Sequence, residues 1–340
     1  MAASVSVLDS QSTVTCDPAL FGENFNKLPF EIEHALSTDP RFELSRLVEL
    51  ARDVAGRNDP HRPSGDAACL LGQQDPGKPM LEGAKITLEV ADAIHQIQTA
   101  NAWIVLKHVE RDAEYREILE SCICDLLRLT GKEMRREIKW FEAILFVSSP
   151  GRATPYHIDR ECSWLLQIAG DKEIHLFNRE DREITPDEEL ERFWTVDNGA
   201  GTYKPQYESR AMVYMLRPGT GVHIPVNTPH WLRNGKDVSI SLNVNFVFHD
   251  STLGNIYRAN YFMRKRGLRP SQPGANPVVD RLKSAVITSA QQLNCKLKRK
   301  PYVPEVSLEQ NERIFWPAGP EGIKRSPHSG AELPSITSRE

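Results

Sequence analysis

Apolar positions recur along this chain with two different periods, and the change of period divides it. From Pro40 to Ala55, the residues Leu44, Leu47, Val48, Ala51 and Val54 fall on one face at helical spacing, which predicts a helix. Thr87 can cap a second helix with the stripe Val90, Ala91, Ile94 and Ile97. A third is predicted from Asp112 to Leu129, with Ile118, Leu119, Cys122 and Leu126 inward. Asn58 to Gly83, rich in Pro, Gly and Asp, reads as loop, and Trp103 to Leu106 as a short apolar strand. From Ile138 to His249 the period shortens. AILFVSS, HIDRECSWLLQI, KEIHLF, AMVYML, GVHIP and VSISLNVNFVF are each bounded by Gly, Pro, Asn or Asp. Many short strands with turns between them predict a sandwich or barrel. One helix interrupts this run, with Thr185 as its N-cap, Pro186 at its first position and Glu188 at its third, continuing through Phe193. Helical spacing then returns from Ser251 to Arg266, stopped by Gly267, and from Val279 to Leu297.

This pattern predicts a helical N-terminal region over residues 1–100 packing on a β-rich core over 101–250. C-terminal helices follow over 251–299, then a disordered tail over 300–340 in which Pro, Ser and charge dominate. At 340 residues the chain can bury a large core. A formal net charge of -4 gives no global attraction to nucleic acid or anionic lipid. The basic runs RKRGLR (Arg264 to Arg269) and KLKRK (Lys296 to Lys300) read as solvated helix ends, so no nucleic-acid partner is expected. No apolar run reaches the length of a membrane span and the first residues lack a signal core, so a cytoplasmic protein is expected. Six scattered cysteines fit that setting as reduced thiols.

Two segments carry the chemistry, TPYHIDRE (Thr154 to Glu161) and IPVNTPHW (Ile224 to Trp231). Alternate residues of a strand project to the same face, so His157 and Asp159 project together if the segment is extended. His230 follows a Pro-Gly turn and the short strand Val222 to Pro225. Two imidazoles and one carboxylate on one side of a metal leave its other side open, the arrangement of the facial triad in non-haem Fe(II) oxygenases. On SISLNVNF, Ser241, Asn243 and Asn245 alternate with Ile240, Leu242, Val244 and Phe246. A polar face on a strand inside a packed barrel means a lumen that holds ligand and water. Lys172 opens KEIHLF and shares a face with Ile174 and Leu176, which places a charge inward; His175 should face outward beside Glu173. The remaining histidines, His34, His61, His95, His108, His249 and His328, read as structural or exposed, and His223 lies before the turn that leads to His230.

With these residues in place, Ala143 to Val247, about a third of the chain, resembles the JmjC and cupin-like family of Fe(II)- and 2-oxoglutarate-dependent oxygenases. The flanking helices resemble those of small bacterial JmjC-only proteins. The resemblance implies a double-stranded β-helix, or jelly roll, with a mainly β core and flanking helices. It implies Fe(II) on His157, Asp159 and His230, and 2-oxoglutarate as cosubstrate. Lys172 stands where similar hydroxylases anchor the far carboxylate of 2-oxoglutarate. Thr154 matches a hydroxyl donor, Asn245 an asparagine near the cosubstrate, and Ser163 a position that is Asn in some relatives. Asp rather than Glu in the triad tilts the expectation toward hydroxylation of a protein side chain or small metabolite. Two other readings stand beside this one: a non-catalytic metal-binding regulatory module, and a cupin isomerase or lyase without 2-oxoglutarate. The resemblance also implies a homodimer through the C-terminal helices, where the stripe Val279, Leu282, Val286, Ala290 and Leu293 needs a partner. The other home for that stripe is the preceding helix, which offers Ile256, Tyr257 and Tyr261. No loop, including Arg179 to Arg182 and Asp197 to Thr202, selects a substrate.

Overall fold

A computed structural model describes residues 12–57, 65–71, 75–78, 89–130, 137–248 and 252–297. The expected cap Thr87, the cap Ser251, His61, His249, His328 and the tail from residue 300 lie outside these residues. In chain order the strands are β1 (Val14–Thr15), β2 (Phe30–His34), β3 (Ala67–Leu71), β4 (Ala102–Leu106), β5 (Ile138–Ser148), β6 (Ala153–His157), β7 (Cys162–Ala169), β8 (Lys172–Leu176), β9 (Met212–Leu216), β10 (Thr220–Ile224), β11 (His230–Asn234) and β12 (Ser239–Phe248). The helices are α1 (Pro18–Asn24), α2 (Leu44–Gly56), α3 (Val90–His95), α4 (Ala113–Thr130), α5 (Asp187–Thr195), α6 (Thr252–Lys265) and α7 (Pro277–Leu297). Among the described residues no helix is long and apolar enough to cross a membrane.

The strands form two antiparallel sheets. The larger runs β1-β2-β10-β7-β12-β5-β4-β3 and the smaller β6-β11-β8-β9. From β5 onward the chain passes between sheets in the order large, small, large, small, small, large, small, large. That winding is a double-stranded β-helix, and it is the expected mainly β core with flanking helices. The N-terminal region differs from the helical expectation, because β1, β2 and β3 extend the large sheet on both sides. In FEIEH the side chains alternate buried and exposed, a period of two that marks a half-buried strand. AACLL forms β3 inside the segment read as loop, pairing with β4 from Ala67↔Leu106 to Leu71↔Ala102.

The two faces of the large sheet do different work. Trp164, Leu166, Leu242, Val244 and Phe246 turn outward and pack with α1 to α4 in the main core. The opposite face of the same strands lines the barrel. There Leu165, Val222 and Ile224 meet Ile174, Leu176, Leu216 and Leu232 of the small sheet in a second apolar cluster. The interior is therefore greasy on one side and polar along β12.

At the C-terminal end, α7 turns its Asp280, Lys283 and Ile287 inward. Its apolar stripe does not pack on α6, because Leu282, Val286 and Leu293 are 65%, 57% and 58% exposed. The helix at residue 187 is capped by Pro186 rather than Thr185. Pro186 takes that position at φ -55 and ψ 150 with no side-chain cap hydrogen bond, and Thr185 is buried one residue earlier.

The turn between β7 and β8 depends on Gly170, at φ 68, where a Cβ would lie 2.4 Å from the Val238 carbonyl oxygen. Gly170→Ala is expected to destabilise the fold by about 2–4 kcal/mol, from left-handed strain plus a backbone clash. Urea denaturation of wild type and variant measures it, and an unchanged midpoint would refute the assignment of this turn.

Candidate metal centre and cleft

His157 ends β6 and His230 begins β11, and the two residues are direct partners in the β6–β11 ladder. Their ring centroids stand 4.1 Å apart. Asp159 follows two residues after β6, and its Oδ2 lies 3.7 Å from both His157 Nε2 and His230 Nε2. One ligand atom from each of the three residues falls within 4.8 Å of the others, a grouping that could hold a metal ion. Each histidine is locked by the carbonyl two residues before it. His157 Nδ1 lies 2.8 Å from Pro155 O, and His230 Nδ1 lies 2.9 Å from Thr228 O. A carbonyl only accepts, so both Nδ1 atoms donate, and in a neutral ring that leaves Nε2, on the side of Asp159, as the atom with the lone pair. Burial, reinforced by His157 and opposed by Asp159, holds His230 down to about 4, so it is neutral at pH 7. Neutral imidazoles and one carboxylate are the donor set that suits Fe(II) with open positions.

Lys172 points into the barrel from β8. It is 5% exposed, and its Nζ donates to Ser241 Oγ at 2.6 Å. Ser241 Oγ in turn donates to Gln167 Oε1 at 2.7 Å, and Gln167 Nε2 is held by the carbonyls of Ala169 and Gly170. Among the described residues no carboxylate lies within ion-pair distance of Lys172. Burial alone brings the Lys172 ammonium down to about 7.

Further along the inward face of β12, Asn243 and Asn245 reach a cleft of about 1590 Å³ that also receives His157 and Asp159. Asn243 Nδ2 donates to Asn245 Oδ1 at 2.7 Å, and Asn245 Nδ2 donates to Glu142 Oε2 at 3.1 Å. Glu142 is pushed up by burial, with the His108 ring opposing, and its Oε1 lies 3.1 Å from His108 Nε2. The far side of that ring faces Glu110 Oε1 at 3.2 Å. Asn245 is therefore engaged on both sides of its amide. Glu161 lines the same cleft, pushed up to about 7 by burial, then by Asp159 and Glu142.

Of the residues expected at the site, His157, Asp159 and His230 come together, and Lys172, Asn245 and Ser163 turn into the barrel. Ser163 sits opposite Asn245 in the β7–β12 ladder, and Thr154 sits opposite Leu232 in the β6–β11 ladder. His175 faces outward as expected, paired with Glu173 and Glu208 and stacked on Trp231. His223 faces away from the metal cluster, accepting from Asn26 N–H at 2.9 Å between Phe25 and Phe30. His108 and Glu142 were not among the expected residues. A lone Glu in WFEAILF was the available signal, since an acid on an apolar strand needs a reason to be there.

No protein-family model matches the chain, and no curated protein matches its sequence. Among solved structures it is similar to Escherichia coli ycfD, at 14% identity over 82% of this chain and 68% of that one, with a TM-score of 0.46. It is also similar to the crystal structure of Escherichia coli ribosomal oxygenase YcfD, at 15% identity over 93% and 87%, with a TM-score of 0.44. The complex of that oxygenase with cobalt and 2-oxoglutarate matches at 15% identity over 92% and 86%, again with a TM-score of 0.44.

Lys172 gives a stability test with a definite sign. A free lysine titrates near 10.4, so between about 7 and that value the unfolded chain binds more protons than the native one. Stability then rises with pH across this window, and the cost of burying the charge is complete below pH 7. Lys172→Met is expected to stabilise the metal-free protein by about 2–4 kcal/mol at pH 6.5. The gain should shrink toward zero as pH approaches 10. Guanidinium denaturation of both proteins at pH 6.5 and 9.5 measures this, and a pH-independent difference would contradict it.

Proposed function

We propose that this chain is a 2-oxoglutarate-dependent dioxygenase that hydroxylates a protein side chain or a small metabolite, with Fe(II) held by His157, Asp159 and His230. The observation that carries the reading is a buried Lys172 that has no carboxylate within ion-pair distance among the described residues, in the same barrel as three converging metal ligands. A buried ammonium without a carboxylate is costly. 2-Oxoglutarate brings a second carboxylate that would complete the pair, and a regulatory module or a metal-dependent lyase has no use for that anchor.

Bound together, Fe(II) and 2-oxoglutarate supply the activation of O2, with one oxygen atom ending in succinate beside CO2 and the other in the hydroxylated product. This chain's residues supply the geometry. Lys172 would receive the far carboxylate of 2-oxoglutarate through ammonium protons not given to Ser241, and would hold its proton once that charge arrived. Asn245 and Ser163 oppose each other in the β7–β12 ladder beside the lumen, and Thr154 on β6 would supply a hydroxyl. The cleft at about 1590 Å³ exceeds the usual 300–1,000 Å³ of a small-ligand pocket. That size favours a protein side chain over a metabolite. Six free cysteines fit a cytoplasmic setting.

The same reading includes a homodimer through α7. Val279, Leu282, Val286 and Leu293 are exposed at the three-, four- and seven-residue spacing of a helical seam. Light scattering at micromolar concentration is expected to give a dimer for the wild type and a monomer for Leu282→Glu with Val286→Glu; a monomeric wild type removes this part.

Succinate release is the decisive assay for the enzyme. Purified protein with Fe(II), ascorbate, O2 and 2-oxoglutarate is expected to release succinate. Replacing both His157 and His230 by Ala should abolish iron binding and succinate together. Lys172→Ala should raise the 2-oxoglutarate requirement a hundredfold or more, since a broken buried pair costs about 3–5 kcal/mol, while leaving iron binding near wild type. Iron binding without succinate would point to the regulatory module, and unchanged 2-oxoglutarate dependence would remove Lys172 from the site.

A further inference from the structure

The three ligands are not held alike. His157 and His230 face each other across a strand ladder, so backbone pairing fixes both. Asp159 lies beyond the end of β6, and its side chain is 40% exposed against 17% and 3% for the two histidines. No strand pairing reaches it.

Two links hold the Asp159 loop instead, and both lead to the end of α5. In the first, the Asn227 N–H donates to the Asp159 carbonyl at 2.9 Å, joining this loop to the turn that carries His230. Asn227 stands at φ 62, where glycine is the unstrained choice. Asparagine adds an acceptor there, and its buried Oδ1 receives the Trp194 indole N–H at 3.0 Å. In the second link, Arg160 Nη2 donates to Phe193 O at 2.6 Å and to Asn198 Oδ1 at 2.9 Å. Its guanidinium lies 5.1 Å from the ring centroids of both Phe193 and Trp194.

Trp194 is itself braced from behind by α6. Gly254 lies so close that a Cβ there would come within 2.5 Å of the indole ring, and the Arg258 guanidinium lies 5.5 Å from its centroid. A continuous path of contacts therefore runs from a helix outside the barrel, through Trp194 and Asn227, to the backbone of Asp159.

We propose that Asn227 and Trp194 are positioning residues for Asp159, setting the third ligand through their shared hydrogen bond and coupling it to α6. This rests on reading His157, Asp159 and His230 as a metal site. Hydrogen bonds that orient a ligand from behind are worth 10- to 100-fold in metal affinity when removed.

The test is Co2+ binding to the full chain, by calorimetry and by the visible absorption bands of the bound ion. Trp194→Phe keeps the ring packing and loses the N–H, while Asn227→Gly keeps the left-handed backbone and its N–H and loses the acceptor. Each is expected to weaken Co2+ by about tenfold or more and to alter the absorption bands. The double variant should be no weaker than the worse single one, because both remove the same hydrogen bond. Melting temperatures of the metal-free proteins should fall by no more than a few degrees, the cost of one buried hydrogen bond. Wild-type affinity and bands in both single variants, additive losses in the double one, or metal-free variants that no longer unfold cooperatively would each overturn the proposal. If the wild type binds no Co2+, or binds it as tightly after His157→Ala, the metal-site reading fails and takes the proposal with it.

Discussion

In the barrel interior the Lys172 ammonium meets a hydroxyl, that of Ser241, where an ion buried this deeply ordinarily meets an opposite charge. The surroundings follow from that. A lysine can sit there only if the wall opposite is polar, and the polar wall is the face of β12 that carries Ser241, Asn243 and Asn245. Ser241 needs an acceptor for its own proton, which Gln167 provides, and Gln167 is held by two carbonyls at the β7–β8 turn. Leu165 of β7, the ladder partner of Asn243, and Ile174 and Leu232 of the small sheet have no such demands and pack as ordinary core. Polar and apolar positions thus share the inner walls, one set able to take a ligand and the other holding the sheets together.

The metal ligands answer to a different constraint, the register of a short strand pair. His157 opposes His230 because β6 and β11 pair with a shift in register between His230 and Leu232. A slip of one residue would turn one imidazole to the outer face. The backbone carbonyls of Pro155 and Thr228 then choose the tautomer, so the geometry and the tautomer of the pair are both set by main chain.

Much of this was legible in the sequence. The H-x-D pair, the histidine after the I-P turn and the alternating face of β12 are local patterns whose meaning depends on strand periodicity alone. Lys172 was legible for the same reason, as a charge in phase with Ile174 and Leu176. What escaped the sequence is nonlocal or nonperiodic. β3 is a short apolar run among Gly and Pro, with no alternation to mark it. Glu142 meets His108 only because β5 lies beside the turn after β4, and nothing in either segment announces the other. The stripe on α7 is visible as a stripe, but amphipathicity does not say what covers it, and here the inward face carries Asp280 and Lys283 instead.

The alternation of strands between sheets also governs how the protein comes to be. β12 pairs with β5 along nearly its whole length, from Ser239↔Ser148 to Phe248↔Ile138, so the two ends of the barrel's sequence are neighbours at its centre. Contacts between segments so far apart close large loops before they gain any stability, which slows folding. On a ribosome, where the N-terminal part emerges first, β5 and β7 must wait with unpaired edges until β12 has been made. The two histidines need not wait with them, since His230 on β11 pairs with β6 and β8, both made before it. A polypeptide released before Ser239 would carry all three metal ligands and the uncovered edges of β5 and β7 at once.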